Sequence, residues 1–186
     1  MSTEDTGRLP VLPVPPDSPV LPAAREAGQW YELHGRAIYN YFRFLGATPD
    51  SADDLTAETF LRAVRAESRF DPSRAAPRTW LCRIAQNVWR DDLRRARVRR
   101  HVPIAAHRDL VTDAPSPEER LLWEEQVTAL LSAVAELPAA DQELIGLRYG
   151  SDLESGAIGE MLGLGEGAVR MRLHRALKRL RQRLAR

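Results

Sequence analysis

Between Gln29 and Leu45, the apolar residues Trp30, Leu33, Ala37, Ile38, Tyr41 and Leu45 recur every three or four positions, the period of one helix face, and Gly46 ends the run. A second helix is predicted after Pro49, where Ser51 and Asp54 have the spacing of a capping box, and it runs to about Glu67 on Leu55, Thr59 or Phe60, and Ala63. A third starts at Pro77 and continues to about Arg100. Residues 101–117 lose the periodicity, carry three prolines and read as a flexible linker. Helical patterning returns at 118–135, Pro138–Tyr149, Ala157–Leu162 and Val169–Arg186. No segment alternates with the strand period, and no repeat of solenoid length exists. The predicted fold is therefore all-α. Two small helical domains, 28–100 and 118–186, follow a proline-dense tail, 1–27, that reads as disordered.

The polar positions on two of these helices are as ordered as the apolar ones. With Trp80 set at 0° and 100° per residue, Trp80, Leu81, Ile84, Ala85 and Val88 occupy about 0–140°. Arg83, Gln86, Asn87, Arg90, Arg94 and Arg97 occupy about 240–340°. On the last helix, with Arg170 at 0°, Val169, Leu173, Ala176, Leu177, Leu180 and Leu184 fall at about 240–340°. Arg170, Met171, His174, Arg175, Lys178 and Arg181 fall at about 0–140°. Each helix thus buries one stripe and presents a separate cationic one. The Gly163-Leu164-Gly165 turn before the last helix makes 155–186 a helix-turn-helix pattern, whose second helix is suited to DNA. The amides of the earlier stripe suit base edges as well as phosphates.

Charge sharpens this picture. The chain has 186 residues and a net charge of +1, yet residues 118–160 hold ten acids against two arginines, while 170–186 hold eight Arg or Lys and no acid. A neutral chain with concentrated basic faces touches nucleic acid at chosen places. One cysteine, Cys82, excludes an internal disulfide and offers little for redox sensing. No ligand spacing for a metal exists among it and four scattered histidines, so neither a metal nor another cofactor is expected. No apolar run reaches membrane-spanning length, and no signal peptide pattern opens the chain, so a cytoplasmic protein without membrane insertion is expected. Trp30, Trp80 and Trp123 read as core, whereas Trp89 lies at the edge of its apolar arc. No nucleophile, phosphate loop or carboxylate pair has a suitable context, so the chain reads as a non-enzyme.

The order of the motifs resembles the extracytoplasmic-function (ECF) sigma factors, two-domain subunits of bacterial transcription initiation. Ala52-Asp53-Asp54-Leu55-Thr56-Ala57-Glu58-Thr59-Phe60-Leu61-Arg62-Ala63 resembles the family's region 2.2. Arg78-Thr79-Trp80-Leu81-Cys82-Arg83-Ile84-Ala85-Gln86-Asn87, continuing to Arg95, resembles regions 2.3 and 2.4. Leu137-Pro138, Ile158 to Gly163 and Gly167 to Ala176 resemble region 4. The resemblance implies a sigma region 2 domain, a sigma region 4 helix-turn-helix domain, and promoter recognition and opening together with core RNA polymerase. Arg83, Asn87, Arg90 and Arg94 would contact the minus-ten element, and the loop from Glu67 to Ala76 would help trap unstacked bases with Asn87. Arg170, Met171, Arg172, His174 and Arg175 would contact the minus-thirty-five element. Asp54, Leu55, Glu58, Leu61 and Arg62 would meet the β′ clamp of the polymerase, whose β subunit is a further expected contact. An anti-sigma factor is an expected partner.

Elementary geometry bears on that reading. The two promoter elements lie about 25 base pairs apart, or about 85 Å. A seventeen-residue linker reaches at most about 60 Å and each domain adds about 20 Å, so one chain bridges both only with the linker nearly extended. Several positions depart from the family pattern. Ala57 stands where Gln is usual, and Pro77 where an aromatic is common. Gly165 and Ala168 replace Ser and Thr at the recognition-helix start, and Met171 replaces a small polar residue, which points to an altered minus-thirty-five preference. Gly156 and Gly159 weaken the preceding helix, which makes region 4 marginal until something holds it. The residues alone also admit a helix-turn-helix regulator acting without polymerase, or a sigma-like protein that sequesters polymerase or an anti-sigma factor.

Overall fold

Helix α1 (Pro22–Phe44) is the spine on which both halves of the chain are assembled. A computed structural model describes the backbone of residues 22–99 and 117–185 and the side chains of 28–96 and 125–185. Residues 101–116 of the linker assigned to 101–117, residues 1–21 of the predicted tail, and Trp123 as a side chain lie outside the described residues, and Pro117 opens the next helix. The helix starts at Pro22, so the last six residues assigned to the tail are helical. Among the described residues there are seven α-helices and no strand.

The inward face of α1 runs through Trp30, Ile38, Tyr41 and Phe42, and Leu45 just past its end continues it, all buried. Leu33, predicted to share that stripe, is 70% exposed. It lies about 120° around the helix from the centre of the buried arc, which Phe42 rather than Leu33 completes. Helix α2 (Pro49–Ala66) begins one turn earlier than the predicted Ser51 box: Thr48, in extended backbone, is the cap, and its hydroxyl accepts from the Ser51 amide at 3.2 Å. Thr56 and Thr59 are buried on α2, and each satisfies its hydroxyl by donating to the carbonyl four residues back, Ala52 at 2.6 Å and Leu55 at 2.7 Å. Helix α3 (Pro77–Arg99) closes this half, burying Leu81, Ala85 and Val88 as its projection predicts.

The second half comprises α4 (Pro117–Ala135), α5 (Ala139–Ile145), α6 (Ser155–Leu162) and α7 (Glu166–Leu184). The segment expected to be one helix to Tyr149 is α-helical only to Ile145; Gly146–Gly150 widens into a π turn. The turn between α6 and α7 is built by two glycines. Gly163 takes φ +67°, a left-handed conformation that ends α6. At Gly159 any Cβ would stand 2.5 Å from the Leu164 carbonyl oxygen, so the helix and the turn cross where only glycine fits. Val169, Leu173, Ala176 and Leu180 bury the inner stripe of α7.

The two halves share their cores. Leu144, Leu147, Leu153, Ile158, Val169 and Leu173 join one continuous cluster with Ile38, Tyr41, Phe42, Leu81 and Ala85. Phe44 crosses the other way and packs with Val127, Leu131, Val134, Ile145 and Ala176. Burial of one such side chain stabilises by roughly 1.5–3 kcal/mol, so Phe44 alone is a substantial tie between halves.

Candidate nucleic-acid interface

The outer face of α3 presents Arg83, Asn87, Arg90 and Arg94, all exposed. Gln86, in the same predicted stripe, is buried at 4% exposure: its Nε2 donates to Glu143 Oε1 of α5 at 2.8 Å. Cys82 and Arg78 lie along the same edge of α3 and are met by the residues that follow the π turn. Ser151 hydrogen-bonds the Cys82 thiol, and Arg78 Nη1 donates to Asp152 at 3.2 Å. The Cys82 thiol is fully buried, and burial pushes it up to about 11, so it is protonated and unreactive at neutral pH. No signal within α3 distinguishes this covered edge from the open stripe, because the cover comes from Glu143, Ser151 and Asp152, more than fifty residues away.

The loop from Glu67 to Ala76 is anchored at its start and open at its tip. Phe70 packs edge-on against Trp30 at 5.3 Å and at a tilt against Trp80 at 5.1 Å, and Trp80 meets Trp30 edge-on at 5.3 Å. Trp30 and Trp80 are therefore structural, as predicted; Trp89 is half-buried against Phe42 at 6.3 Å. Asp71 closes a local turn by accepting from the Ser73 hydroxyl at 2.6 Å and its amide at 2.9 Å, and these bonds hold its carboxyl below the usual range. Arg69, Pro72, Ser73 and Arg74 stay exposed around it.

On α7, Arg170, Met171, Arg172, His174 and Arg175 are all exposed, with Lys178 and Arg181 continuing the face. Arg170 Nη1 is held by Glu166 at 2.6 Å, one turn earlier. Gly165 is the N-cap and supplies no side-chain bond, as its identity predicts, although a glycine cap costs only a few tenths of a kcal/mol against serine. Two arginines that lie off this face turn to internal partners: Arg179 pairs with Asp141, and Arg183 with Glu136. The acidic segment before α7 thus neutralises its inner edge and leaves its outer edge positive.

The third predicted surface divides. Asp54 and Leu61 are exposed on α2, Leu61 at 52%. Leu55 is a correction: at 8% exposure it belongs to the core, because Ala52, Leu55, Thr59 and Ala63 form the inward stripe of α2. It lies at the floor of a cleft of about 330 Å³ between α2 and α3, lined also by Ser51, Asp54, Glu58, Val88, Asp92 and Arg95. Glu58 and Arg62 bond each other at 2.7 Å, and Arg62 reaches Asp91 of α3, also at 2.7 Å. Asp91 in turn pairs with Arg94, so one carboxylate links this surface to the α3 basic face. Its helix spacing to Arg94 was visible in the sequence; its partnership with Arg62 was not.

Among the described residues no cluster of potential metal ligands occurs, and no helix is long and apolar enough to cross a membrane. Two basic helix faces on an all-α frame, one preceded by a tight glycine turn, narrow the field, and comparison with known proteins decides it. The family models for sigma-70 region 2 and sigma-70 region 4 match residues 30–99 and 133–182. The ECF RNA polymerase sigma factor SigW of Bacillus subtilis is 30% identical over 162 residues, covering 82% of this chain and 86% of SigW. The chain belongs to the ECF sigma factors. BldN of Streptomyces coelicolor, another ECF sigma factor, is 31% identical over 153 residues; the match covers 82% of this chain and 58% of BldN. The solved structure of CnrH in complex with the cytosolic domain of CnrY superposes with a TM-score of 0.64 at 27% identity, covering 87% of this chain and 88% of CnrH. Sigma factors are transcription initiation factors, and this membership favours the sigma reading over a regulator that works without polymerase.

Proposed function

We propose that this ECF sigma factor binds core RNA polymerase and uses its two basic helix faces to recognise and open a promoter. Arg83, Asn87, Arg90 and Arg94 of α3 contact the minus-ten element, with the 67–76 loop beside them to hold unstacked bases. Arg170, Met171, Arg172, His174 and Arg175 of α7 contact the minus-thirty-five element. The observation that carries this reading is the coexistence, in one small chain of this family, of two exposed cationic stripes on separate helices. A single operator needs one reader, whereas a promoter with two spaced elements needs two.

Asp54, Glu58, Leu61 and Arg62 form the polymerase-facing surface of α2; Leu55 supports it from beneath. The chain supplies no catalysis: opening a duplex costs a few kcal/mol for each unstacked base, and polymerase contacts and trapped bases meet that cost. It works in the cytoplasm, where its polymerase and DNA are. An anti-sigma protein is its expected partner, as CnrH is bound by the cytosolic domain of CnrY. Run-off transcription from a genomic promoter library with purified core polymerase tests the proposal. Transcripts that require both chain and core are expected, and a chain that shifts duplex DNA by itself but yields no transcript contradicts it.

A further inference from the structure

The first turn of α7 is almost bare. Residues 165–168 read Gly-Glu-Gly-Ala, all exposed, and a Cβ on Gly165 or Gly167 would meet no neighbour within 4 Å. The backbone beneath them is fixed. The Leu164 amide donates to the Gly159 carbonyl at 2.8 Å and the Val169 amide to the Gly165 carbonyl at 3.1 Å, so helix begins directly after the turn. Glu166 is therefore the one hydrogen-bonding side chain on this turn, and it is also the one acid among the 19 residues of α7.

An acid at this point opposes phosphate binding, yet it stands where a helix-turn-helix meets base edges, at the N-terminal end of its second helix. Glu166 is not isolated there. Arg170 Nη1 donates to its Oε1 at 2.6 Å, and the two side chains are 54% and 66% exposed. Exposed pairs of this spacing contribute little to stability. What the pair changes is the chemistry offered to a groove: it carries no net charge, so the carboxylate can approach DNA, and the guanidinium keeps further N–H groups to donate.

The major groove answers the two groups differently. A carboxylate only accepts. Cytosine offers it the N4 amino group, guanine and thymine present acceptors that repel it, and adenine sets the N7 acceptor beside its amino group, so cytosine is the favoured partner. The guanidinium fork matches O6 and N7 of guanine. Residues four apart on a helix are separated by about 6 Å along its axis, less than two base-pair steps of about 3.4 Å.

We infer that Glu166 is a specificity-determining residue of the minus-thirty-five reader: it accepts from a cytosine N4 amino group and holds the Arg170 fork toward a guanine no more than about two base pairs away. The inference rests on the minus-thirty-five reading proposed above. By repelling the acceptors of guanine and thymine at its own position, Glu166 also rejects promoters that the basic face would otherwise hold.

Holoenzyme assembled from the full chain and core polymerase is bound to duplex promoters randomised across the minus-thirty-five element, and the bound sequences are read position by position. Wild type is expected to favour cytosine about tenfold at one position and guanine at a second within about two steps of it. Glu166→Gln keeps the length of the side chain but adds a donor, and should turn the cytosine preference into one for adenine, whose N6 and N7 an amide pairs bidentately. Glu166→Ala should flatten that position to within about twofold and weaken the guanine preference as well, because the fork is no longer held. Arg170→Ala should remove the guanine preference and lower binding to every sequence, since the carboxylate then faces the phosphates unscreened. A role confined to holding the helix gives a different result: each variant scales all sequences by one factor and lowers the thermal midpoint, with the base preferences unmoved. That result overturns the inference, as does a wild-type profile that has base preferences but none for cytosine. A wild-type profile with no base preference anywhere in the element would remove the minus-thirty-five reading itself, and the role of Glu166 with it.

Discussion

Arg62 of α2 donates to the Asp91 carboxylate of α3 across 2.7 Å, and Asp91 takes Arg94 on its other oxygen. The proposed polymerase surface and the proposed minus-ten face are therefore mechanically joined by one side chain. The Arg62 bond, then Arg94, holds the Asp91 carboxyl below its ordinary range. A depressed carboxyl contributes stability that is complete above the unfolded value of about 3.9 and is lost as pH falls through the lower folded value. Acid unfolding followed by circular dichroism should show wild type losing stability below about pH 4, with Asp91→Asn starting less stable and losing less.

Two glycines of α6 should respond in opposite directions. Gly159→Ala drives a methyl into the Leu164 carbonyl and should destabilise by about 1–3 kcal/mol. Gly156 has open space where a methyl would stand, with no neighbour within 4 Å, and should gain about 0.5–1 kcal/mol as alanine. Thermal unfolding of the two variants measures both signs. Equal destabilisation would mean that the crossing of helix and turn is not what requires glycine at 159.

These glycines mark where the sequence was legible and where it was not. Helix periods placed α2, α3, α4, α6 and α7 to within a few residues but began α1 seven residues late and ran α5 through the π turn, and the arcs on α3 and α7 separated Leu81, Val88, Val169 and Leu173 from the exposed arginines. A helical wheel sees one helix at a time. It assigned Leu33 to the core and left Cys82 and Gln86 off it, because burial at those positions is decided by neighbours distant in the chain; for Leu55 the period on α2 pointed to the core and the family resemblance to a binding surface, and the core reading holds. The helix cost predicted for Gly159 is real but secondary to the crossing at Leu164. The residue roles at the promoter and polymerase surfaces came from family resemblance, since exposure and charge alone do not say which base or protein a side chain meets.

His34 supplies a second pH response. Burial, with Arg78 nearby as a further cause, lowers its pKa, and its Nδ1 is buried without a hydrogen-bond partner. A lowered histidine binds its proton less readily folded than unfolded, so its contribution is complete above the unfolded value of about 6.5 and falls as pH drops below it. Urea midpoints should therefore decline between pH 7.5 and 5.5, and His34→Gln should flatten the decline. An unchanged slope in that variant would assign the response elsewhere.

On α7, Arg175→Ala should weaken binding about equally across promoters and reduce the salt slope by about one, as loss of a phosphate contact does. Met171, 54% exposed on the same face, should act on choice: Met171→Ser should reorder promoters by about 1–3 kcal/mol at one base position. Binding of the holoenzyme to a randomised minus-thirty-five library separates the two. Identical profiles would erase the distinction between positioning and reading.

Permanganate footprinting of a responsive promoter, with chain and core polymerase added separately and together, tests the central claim most directly. Reactive thymines at the minus-ten element only when both are present, and their loss in Asn87→Ala with duplex binding retained, is the predicted result. Reactivity with the chain alone, or none with chain and core together on any promoter that the holoenzyme binds, would contradict it.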